Sequence, residues 1–178
     1  MDSKIQLSDF EMQLLTNYEW ILTKNGIIKK TILLLENVQE RIRSEAEANK
    51  LLPTEVAAIS PKISKGENYE GLPWLMFDYP RFFTKDNVFA IRTMFWWGNF
   101  FSTTLHLSGH YKNLFQQKII EAFPHISRNG FFICIHENEW HHYLQKENYL
   151  PAQEFTADNF ETLVGNKSFI KIDSALPI

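Results

Sequence analysis

The feature that most constrains the fold is residues 89–107, where two runs rich in aromatic and β-branched side chains flank Gly98 and Asn99. Such runs are typical of β-strands. Glycine at the first central position of a two-residue connection is typical of a tight hairpin turn, because that position needs a positive φ. We therefore predict a long antiparallel hairpin with a two-residue loop. The alternative is that Gly98 and Asn99 lie inside a longer loop.

A two-residue loop would also set which residues of the two strands face each other. It places Trp97 opposite Phe100 and Arg92 opposite Leu105, since cross-strand pairs step outward from the turn. In this register both faces of the hairpin are substantially apolar. Such a hairpin needs cover on both faces, from helices, a loop or another subunit.

Two helices are predicted before the hairpin. Ser8 and Glu11 have the spacing of a capping box at a helix start, and apolar residues then recur at helical spacing. Asn25 and Gly26 predict the end of this first helix. A second helix with one apolar stripe is predicted from about residue 27 to residue 50. Because the stripe is short for a coiled coil, a helix pair packed on a sheet is favoured.

The rest of the chain predicts strands and short helices without a strict alternation of the two. Residues 74–79 predict a buried strand that Pro80 ends, and residues 52–71 predict a functional loop or hidden short strands. A helix, a strand, a helix and a strand follow the hairpin. We therefore predict an α+β fold with a mainly antiparallel, twisted sheet of about five strands and the N-terminal helix pair packed on one face. The length suits a single domain over residues 1–178.

Composition narrows the class of protein. The formal net charge of -3 comes from interspersed signs, which argues against nucleic-acid and membrane partners. Residues 88–107 are apolar but include Arg92 and His106, and their period is that of a strand, so they do not predict a membrane span. The single cysteine, Cys134, excludes an intramolecular disulfide. Without an apolar secretory segment at residue 1, these features predict a soluble cytoplasmic protein.

Arg92 is the most informative candidate for a binding site. It lies in mid-strand among apolar residues, so its charge needs a carboxylate, a ring face or a bound anion. Asp78 and Arg81 pose the same question in the preceding strand. The simpler explanation is a structural ion pair of Asp78 with Arg92 or Arg81. If a pocket exists, its predicted polar anchors are Arg92, Asp78, Arg81 and Thr103, and its predicted walls are Trp74 and Trp96.

Histidines form the second candidate site. His136 with His141 and His142 lacks the zinc-protease spacing, because the offsets are five and six rather than four. His106 and His110 lie at the end of the hairpin and are the predicted metal-ligand pair or general base. For His106 and His110 the simpler explanation is a hydrogen-bonded structural histidine. For His136, His141 and His142 it is a polar strand end followed by an exposed helix start. No cofactor is predicted.

Three functions are consistent with these patterns. The leading hypothesis is a small-molecule-binding module with an aromatic-lined pocket for a partly apolar, anionic ligand. The second is a structural or interaction protein that forms a homodimer through the aromatic sheet face. The third is a metal-dependent enzyme that uses the histidine cluster. No catalytic motif stands out, so the sequence defines no reaction.

Overall fold

A computed structural model describes residues 5–48 and 52–178. The helices are α1 (Asp9–Thr16), α2 (Tyr18–Ala48), α3 (Thr54–Ala57), α4 (Gly109–Glu121), α5 (Phe123–Arg128) and α6 (Ala157–Asn166), with one 3-10 turn at Ala152–Glu154. The strands are β1 (Lys62–Tyr69), β2 (Leu72–Phe83), β3 (Val88–Trp96), β4 (Phe100–Ser108), β5 (Phe132–Cys134), β6 (Tyr149–Pro151) and β7 (Phe169–Pro177). The chain divides into two compact units, one ending at Val38 and the other spanning Gln39–Ile178.

The N-terminal unit is helical, and its first helix begins as predicted. The Ser8 amide donates to Glu11 Oε2 at 2.7 Å, and the Glu11 amide donates to Ser8 Oγ at 3.3 Å. Helix α1 ends at Asn17, whose side-chain oxygen accepts from the Glu19 amide at 3.1 Å and so caps the start of α2. Asn17 therefore separates the two helices.

The predicted helix end at Asn25 and Gly26 is wrong, because α2 continues through both residues. A single glycine costs a helix only about 1 kcal/mol, and good helix formers on both sides outweigh it. The predicted end near residue 50 lies outside the described residues. No helix within residues 5–48 and 52–178 has the length and apolar character needed to cross a membrane.

The second unit is built on an antiparallel sheet. Within residues 52–178 it has seven strands in the order β1-β2-β3-β4-β7-β5-β6, and every neighbouring pair is antiparallel. The predicted α+β class and antiparallel sheet are confirmed, but the predicted count of about five strands is too low. The polar edge strand β1 lies within residues 52–71, and β6 is only three residues long. Neither has the apolar alternation that predicts a strand.

Strand β2 was predicted to end at Pro80, but it continues to Phe83. The pairing of β2 with β3 shifts between Asp78 and Arg81, so Pro80 lies at a bulge. A proline is compatible with a strand at such a position, because no ladder hydrogen bond from its nitrogen is needed there. The longer strand keeps Asp78 within the sheet.

The hairpin is present, but its connection has three residues instead of two. Trp96 faces Phe100, and the Asn99 amide donates to the Trp96 carbonyl at 3.1 Å. Gly98, with φ of 72°, occupies the turn position where a type II turn requires positive φ. Trp97 belongs to the loop, because its amide donates to the Pro73 carbonyl of β2 at 3.0 Å.

The longer connection moves the register by one residue. Arg92 faces Thr104, and Leu105 faces Ile91. A one-residue change moves a whole set of side chains to the other face of a sheet. As a result, Arg92 shares its face with Thr104 and His106 rather than with Leu105 and Leu107.

Both faces of the hairpin are covered, as predicted. On the first face, residues such as Phe89, Leu107 and Ile172 form one core with Tyr111 of α4 and Phe160 of α6. The last turns of α2 bring residues 42 and 46 to the same face. The second face is covered by the segment 135–148, which has no helix or strand. We call this segment the covering loop.

Candidate functional site

A row of polar side chains crosses the second face of the sheet. Asp78, Arg92, Thr104 and Asp173 occupy directly paired positions on β2, β3, β4 and β7. Asp78, Thr104 and Asp173 are buried, and the Arg92 side chain is 14% exposed. Because buried charges are costly unless paired, each of these groups needs a partner on this face. We call these four residues the polar row.

Arg92 finds its partners in a carboxylate, a histidine and two aromatic rings. Its Nε donates to Asp78 Oδ1 at 2.7 Å, and Nη2 makes a longer bond of 3.5 Å to Oδ2. Nη1 lies 3.3 Å from His142 Nε2. The guanidinium carbon lies 5.3 Å from the ring centroid of Phe83 and 5.9 Å from that of Trp140. The ion pair that the sequence suggested as the simpler explanation is therefore present.

His142 is a neutral hydrogen-bond acceptor. Arginine can only donate, so His142 Nε2 accepts and the proton of the neutral ring is on Nδ1. Burial, together with the charges of Lys171 and Arg92, holds the pKa of His142 well below its usual value. Its amide donates to the hydroxyl of Tyr69 at 3.0 Å, which joins the covering loop to β1.

A cleft of about 380 Å³ lies on this face of the sheet. Its volume falls within the range of small-molecule sites. Aromatic rings and two methionines form most of its walls, while Arg92 and His142 add polar groups. The lining residues are Ser64, Asn68, Tyr69, Trp74, Met76, Arg92, Met94, Trp140 and His142.

Four of the predicted ligand-binding residues are associated with the cleft. Arg92 and Trp74 line it directly. Asp78 orients Arg92 through their ion pair. Trp96 lies behind the wall, where its Nε1 donates to the Tyr69 carbonyl at 3.2 Å and its ring meets that of Tyr69 edge-on at 5.4 Å. Trp96 therefore supports the cleft without lining it.

Two predicted ligand-binding residues lie outside the cleft. Arg81 Nε donates to the Ser60 carbonyl at 2.8 Å, beyond the bulge in β2. Thr103 is exposed on the opposite face, 3.3 Å from Thr93 between the two hydroxyl oxygens. The two-residue turn placed Thr103 on the face of Arg92, and the observed register moves it to the other face. Its role in ligand binding stays a prediction.

Gly66 of β1 explains how Trp74 reaches the cleft. The two residues are directly paired across β1 and β2. A Cβ atom at position 66 would come within 2.6 Å of Trp74 Nε1. The Trp74 indole therefore lies over β1 at Gly66, which has no side chain to exclude it.

A second row beside the polar row contains His106 and Lys171, which are directly paired between β4 and β7. His106 is fully buried, and its Nε2 donates to Glu139 Oε2 at 2.7 Å. Burial lowers the pKa of His106, while the hydrogen bond from His106 lowers the pKa of Glu139. The pair is thus a neutral imidazole and a carboxylate. The other ring nitrogen, Nδ1, has no hydrogen-bond partner among the described residues.

Lys171 and Asp173 have strongly altered acidities. Burial lowers the pKa of Lys171 to about 8, and its Nζ donates to the His141 carbonyl. Burial raises the pKa of Asp173 to about 7, and its Oδ2 accepts from the Thr104 hydroxyl. Asp173 Oδ1 has no partner among residues 5–48 and 52–178. Both groups therefore titrate close to neutral pH, as groups at functional sites often do.

The other histidines are spread over several places. His110 lies exposed in the first turn of α4, away from the sheet face that carries His106. The rings of His136 and His141 stack, with centroids 4.4 Å apart. Among the described residues, no group of three or more histidine, cysteine or acidic side chains could hold a metal ion. The site of His106 and His110 remains a prediction.

Several residues of this face were not predicted from the sequence. Lys171 and Asp173 alternate with Ile170 and Ile172, which is the same pattern that singled out Arg92. This alternation of polar and apolar residues is visible in the sequence, but an edge strand with one solvent-exposed face has the same alternation. Tyr69 and Trp140 gave no signal, because Tyr69 ends a polar edge strand and Trp140 lies in the covering loop.

Chemically, the cleft provides flat apolar walls, a guanidinium held by a carboxylate, and a neutral imidazole beside it. This combination suits recognition of a ring-shaped molecule with one accepting group. Comparisons of the chain with protein-family models, curated proteins and solved structures gave no match.

Proposed function

We propose that this protein binds a small ligand in the cleft lined by Trp74 and Arg92. The ligand has a flat, apolar ring system and one hydrogen-bond-accepting group, of which a carboxylate is the strongest kind. The observation that carries the proposal is the pattern of hydrogen bonds that Arg92 makes. Each of its Nη atoms has a second N–H for which the described residues provide no hydrogen-bond partner. Those donors are available at the wall of the cleft.

The walls of the cleft suit a ring better than an alkyl chain. Trp74, Tyr69 and Trp140 present aromatic rings, and an aromatic contact contributes about 0.5–1.5 kcal/mol beyond area burial. Met76 and Met94 supply adaptable thioethers that fit a ring edge. Several such contacts would position the ring, while Arg92 would fix its orientation.

Asp78 determines how strongly an anion can bind. It neutralises Arg92 in the free protein, so the buried guanidinium is stable before a ligand arrives. A ligand carboxylate then adds charge-assisted bonds to the remaining N–H groups without having to compensate the whole charge. We therefore expect moderate affinity, with a larger contribution from the ring than from the acid.

Titration calorimetry with naphthoate, naphthamide and cyclohexanecarboxylate tests this proposal. Naphthoate should bind most tightly, naphthamide less tightly, and cyclohexanecarboxylate least. Trp74→Ala should weaken naphthoate binding about tenfold, which equals about 1.4 kcal/mol. Trp20→Ala is the matched control, since Trp20 lies in α2, outside the cleft.

Arg92→Lys tests the polar end of the cleft. It should reduce the preference for naphthoate over naphthamide, because lysine cannot provide the planar set of donors. Arg81→Lys is the control outside the cleft. Circular dichroism of each variant checks the fold. Absence of saturable naphthoate binding, or equal binding by folded Trp74→Ala, would overturn the proposal.

A homodimer is the second candidate, and a different surface favours it. The aromatic sheet face has little surface to offer, since Phe95 is 6% and Trp96 2% exposed. The N-terminal unit instead exposes many large apolar side chains. They are Ile5, Leu7, Phe10, Met12, Leu14, Leu15, Tyr18, Trp20, Ile21, Leu22, Ile27, Leu33 and Leu34. Exposed apolar side chains in this number are typical of protein interaction surfaces.

Light scattering at micromolar concentration tests the homodimer. We expect a dimer that Leu15→Glu and Leu22→Glu together convert to a monomer, because buried charges in an apolar contact are costly. Asn37→Glu, which places the same charge at an exposed polar position of α2, should leave the dimer intact. A wild-type monomer at this concentration would exclude this second candidate.

A further inference from the structure

A larger cavity lies on the first face of the sheet, opposite the cleft. Its volume is about 700 Å³. Ile91 and Leu105 line it, whereas Arg92, the neighbour of Ile91, lines the cleft. Consecutive residues of a strand point to opposite faces, so the two spaces are separated by the sheet itself. The cavity is therefore independent of the proposed ligand site.

The cavity is a partly open space between strands and helices of the second unit. The strands β3 and β4 form its floor, with Phe89 and Leu105. The last turns of α2 contribute Ile42 and Ala46, and α4 contributes Phe115. A partly open space of this size falls within the range of small-molecule sites. Helix and sheet hold it open between them.

The chemistry of the lining selects the occupant. Side chains such as Ile42, Leu105 and Phe115 offer no hydrogen bonds, so a polar occupant would lose the hydrogen bonds that it makes with water. The occupant is therefore largely apolar. Six of the thirteen lining residues are branched aliphatic and only two are aromatic, so a flexible alkyl chain can follow the lining more closely than a rigid ring can.

Three charged side chains are among the lining residues. Arg41 of α2 and Lys118 of α4 are exposed cations that line the cavity, and Glu45 lies one turn after Arg41. Lys118 Nζ lies 5.8 Å from the ring centroid of Phe115, which places the ammonium next to the apolar wall. Two cations and one carboxylate leave an excess of positive charge. This excess complements an acidic head group.

We propose that this cavity binds a fatty acid, with its alkyl chain between α2, α4 and the sheet and its carboxylate at Arg41 and Lys118. The occupant is thus amphipathic, and it differs in shape from the ring-shaped ligand of the cleft. Burial of the chain supplies most of the affinity, since transfer of methylene groups out of water is favourable. The cations select an acid over a neutral lipid.

Dodecanoate and dodecanol are the probes, and displacement of a dansyl-labelled undecanoate reports their binding to the full chain. Dodecanoate should displace the label at micromolar concentrations, and dodecanol should do so less well. Ala46→Trp should abolish binding, because a large ring at this buried position fills the cavity. Lys118→Glu should weaken dodecanoate by roughly tenfold and leave dodecanol unchanged. Lys146→Glu is the matched control at an exposed cation elsewhere.

The test of the cavity can be distinguished from the test of the cleft. Trp74→Ala should leave dodecanoate binding intact, and Ala46→Trp should leave naphthoate binding intact, which also shows that this variant is folded. Lys118→Glu changes only an exposed side chain, so it tests the head-group site if Ala46→Trp does not fold. Absence of saturable dodecanoate binding, an unchanged affinity in Lys118→Glu, or competition between dodecanoate and naphthoate would overturn the proposal.

Discussion

Asp173 is fully buried in the polar row, with one oxygen bonded to Thr104 and the other without a partner among the described residues. Its pKa is raised to about 7 by burial. Between pH 4 and pH 7 the native state therefore keeps a proton that the unfolded state loses. Stability contributed by this group falls as the pH rises through that window.

We predict that Asp173→Asn becomes more stable relative to wild type as the pH rises from 4 to 7. Asparagine does not titrate, whereas each pKa unit of the raised value is worth about 1.4 kcal/mol. Urea denaturation at several pH values measures the difference. Asp158→Asn, at an exposed position in α6, is the control. A difference between Asp173→Asn and wild type that does not change with pH would contradict the prediction.

The ion pair of Asp78 and Arg92 gives a second prediction. Arg92→Leu leaves the Asp78 carboxylate buried without its cation, which costs about 3–5 kcal/mol. The double variant Asp78→Leu with Arg92→Leu should regain a large part of this stability, because no unpaired charge is left. Free energies of unfolding from urea titration complete the mutant cycle. Equal stability of the single and double variants would contradict the expected coupling.

Whether the sheet face of a single residue could be predicted from the sequence depended on the register of the hairpin. Arg92 and Trp74 were identified because a charge or a large ring in an apolar strand needs an explanation. The sheet face of Thr103 was not foreseen, since one extra residue in the turn moved it to the other face. Lys171 and Asp173 have the right alternation, but only the inner position of β7 shows that both are buried.

At the scale of elements, Gly109 joins β4 to α4 with a φ of 56°. A Cβ atom there would collide with the Asp86 carbonyl and come within 2.5 Å of Asn87 Oδ1. That same Asn87 oxygen accepts from the His110 amide at 2.7 Å, at the start of α4. The connection between strand and helix therefore requires glycine.

We predict that Gly109→Ala lowers the free energy of unfolding by at least about 2 kcal/mol, from the strained φ and the collision. Gly165→Ala is the matched control, because a Cβ atom at Gly165 in α6 would meet nothing within 4 Å. It should be neutral or stabilising by up to about 1 kcal/mol, as expected for glycine replacement in a helix. Thermal unfolding of both variants distinguishes the two effects. Similar melting temperatures would contradict the assignment.

Element types were easier to predict than their ends. The capping box at Ser8 uses neighbours in sequence, so it was visible in the sequence and is confirmed. Gly26 and Pro80 have strong local preferences, but a long helix and a bulge accommodate them. The turn after Trp96 was predicted one residue too short for a related reason, since the Trp97 amide donates to the Pro73 carbonyl of β2, which precedes β3 in the sequence.

At the scale of the whole chain, each sheet face has a different kind of cover. Helices cover the first face, while the irregular covering loop covers the second. The contacts of that loop include the bond of Glu139 with His106, the bond of His142 with Tyr69, and the carbonyl of His141 on Lys171. Irregular segments held by few bonds open locally at lower free energy than the strands beneath them.

We predict that amides of the covering loop exchange with solvent faster than those of β3 and β4. Glu139→Ala should increase exchange in residues 135–148 further, because it removes the bond to His106. Glu147→Ala is the control within the same loop, since Glu147 is exposed there. Hydrogen exchange followed by mass spectrometry measures both variants. Equal exchange in the two variants would show that Glu139 does not hold the loop.

The class of the fold followed from patterns along the chain, whereas the cover of the second face did not. Alternating and helical periods predicted strands, helices and the need for shelter on both faces. The covering loop has no period, and its position depends on contacts such as that between Trp140 and His106, whose rings lie 5.4 Å apart. No local sequence pattern predicts such contacts between residues that are distant in sequence.

The turn at Trp97, Gly98 and Asn99 carries an evolutionary consequence. Insertion or deletion of one residue here would shift the register of β4 by one residue. Thr104 would then face the helices, and Leu105 would face the polar row. Divergent descendants of this sequence are thus free to vary the chemistry of the turn wherever positive φ is not needed. Its length, in contrast, should be inherited unchanged.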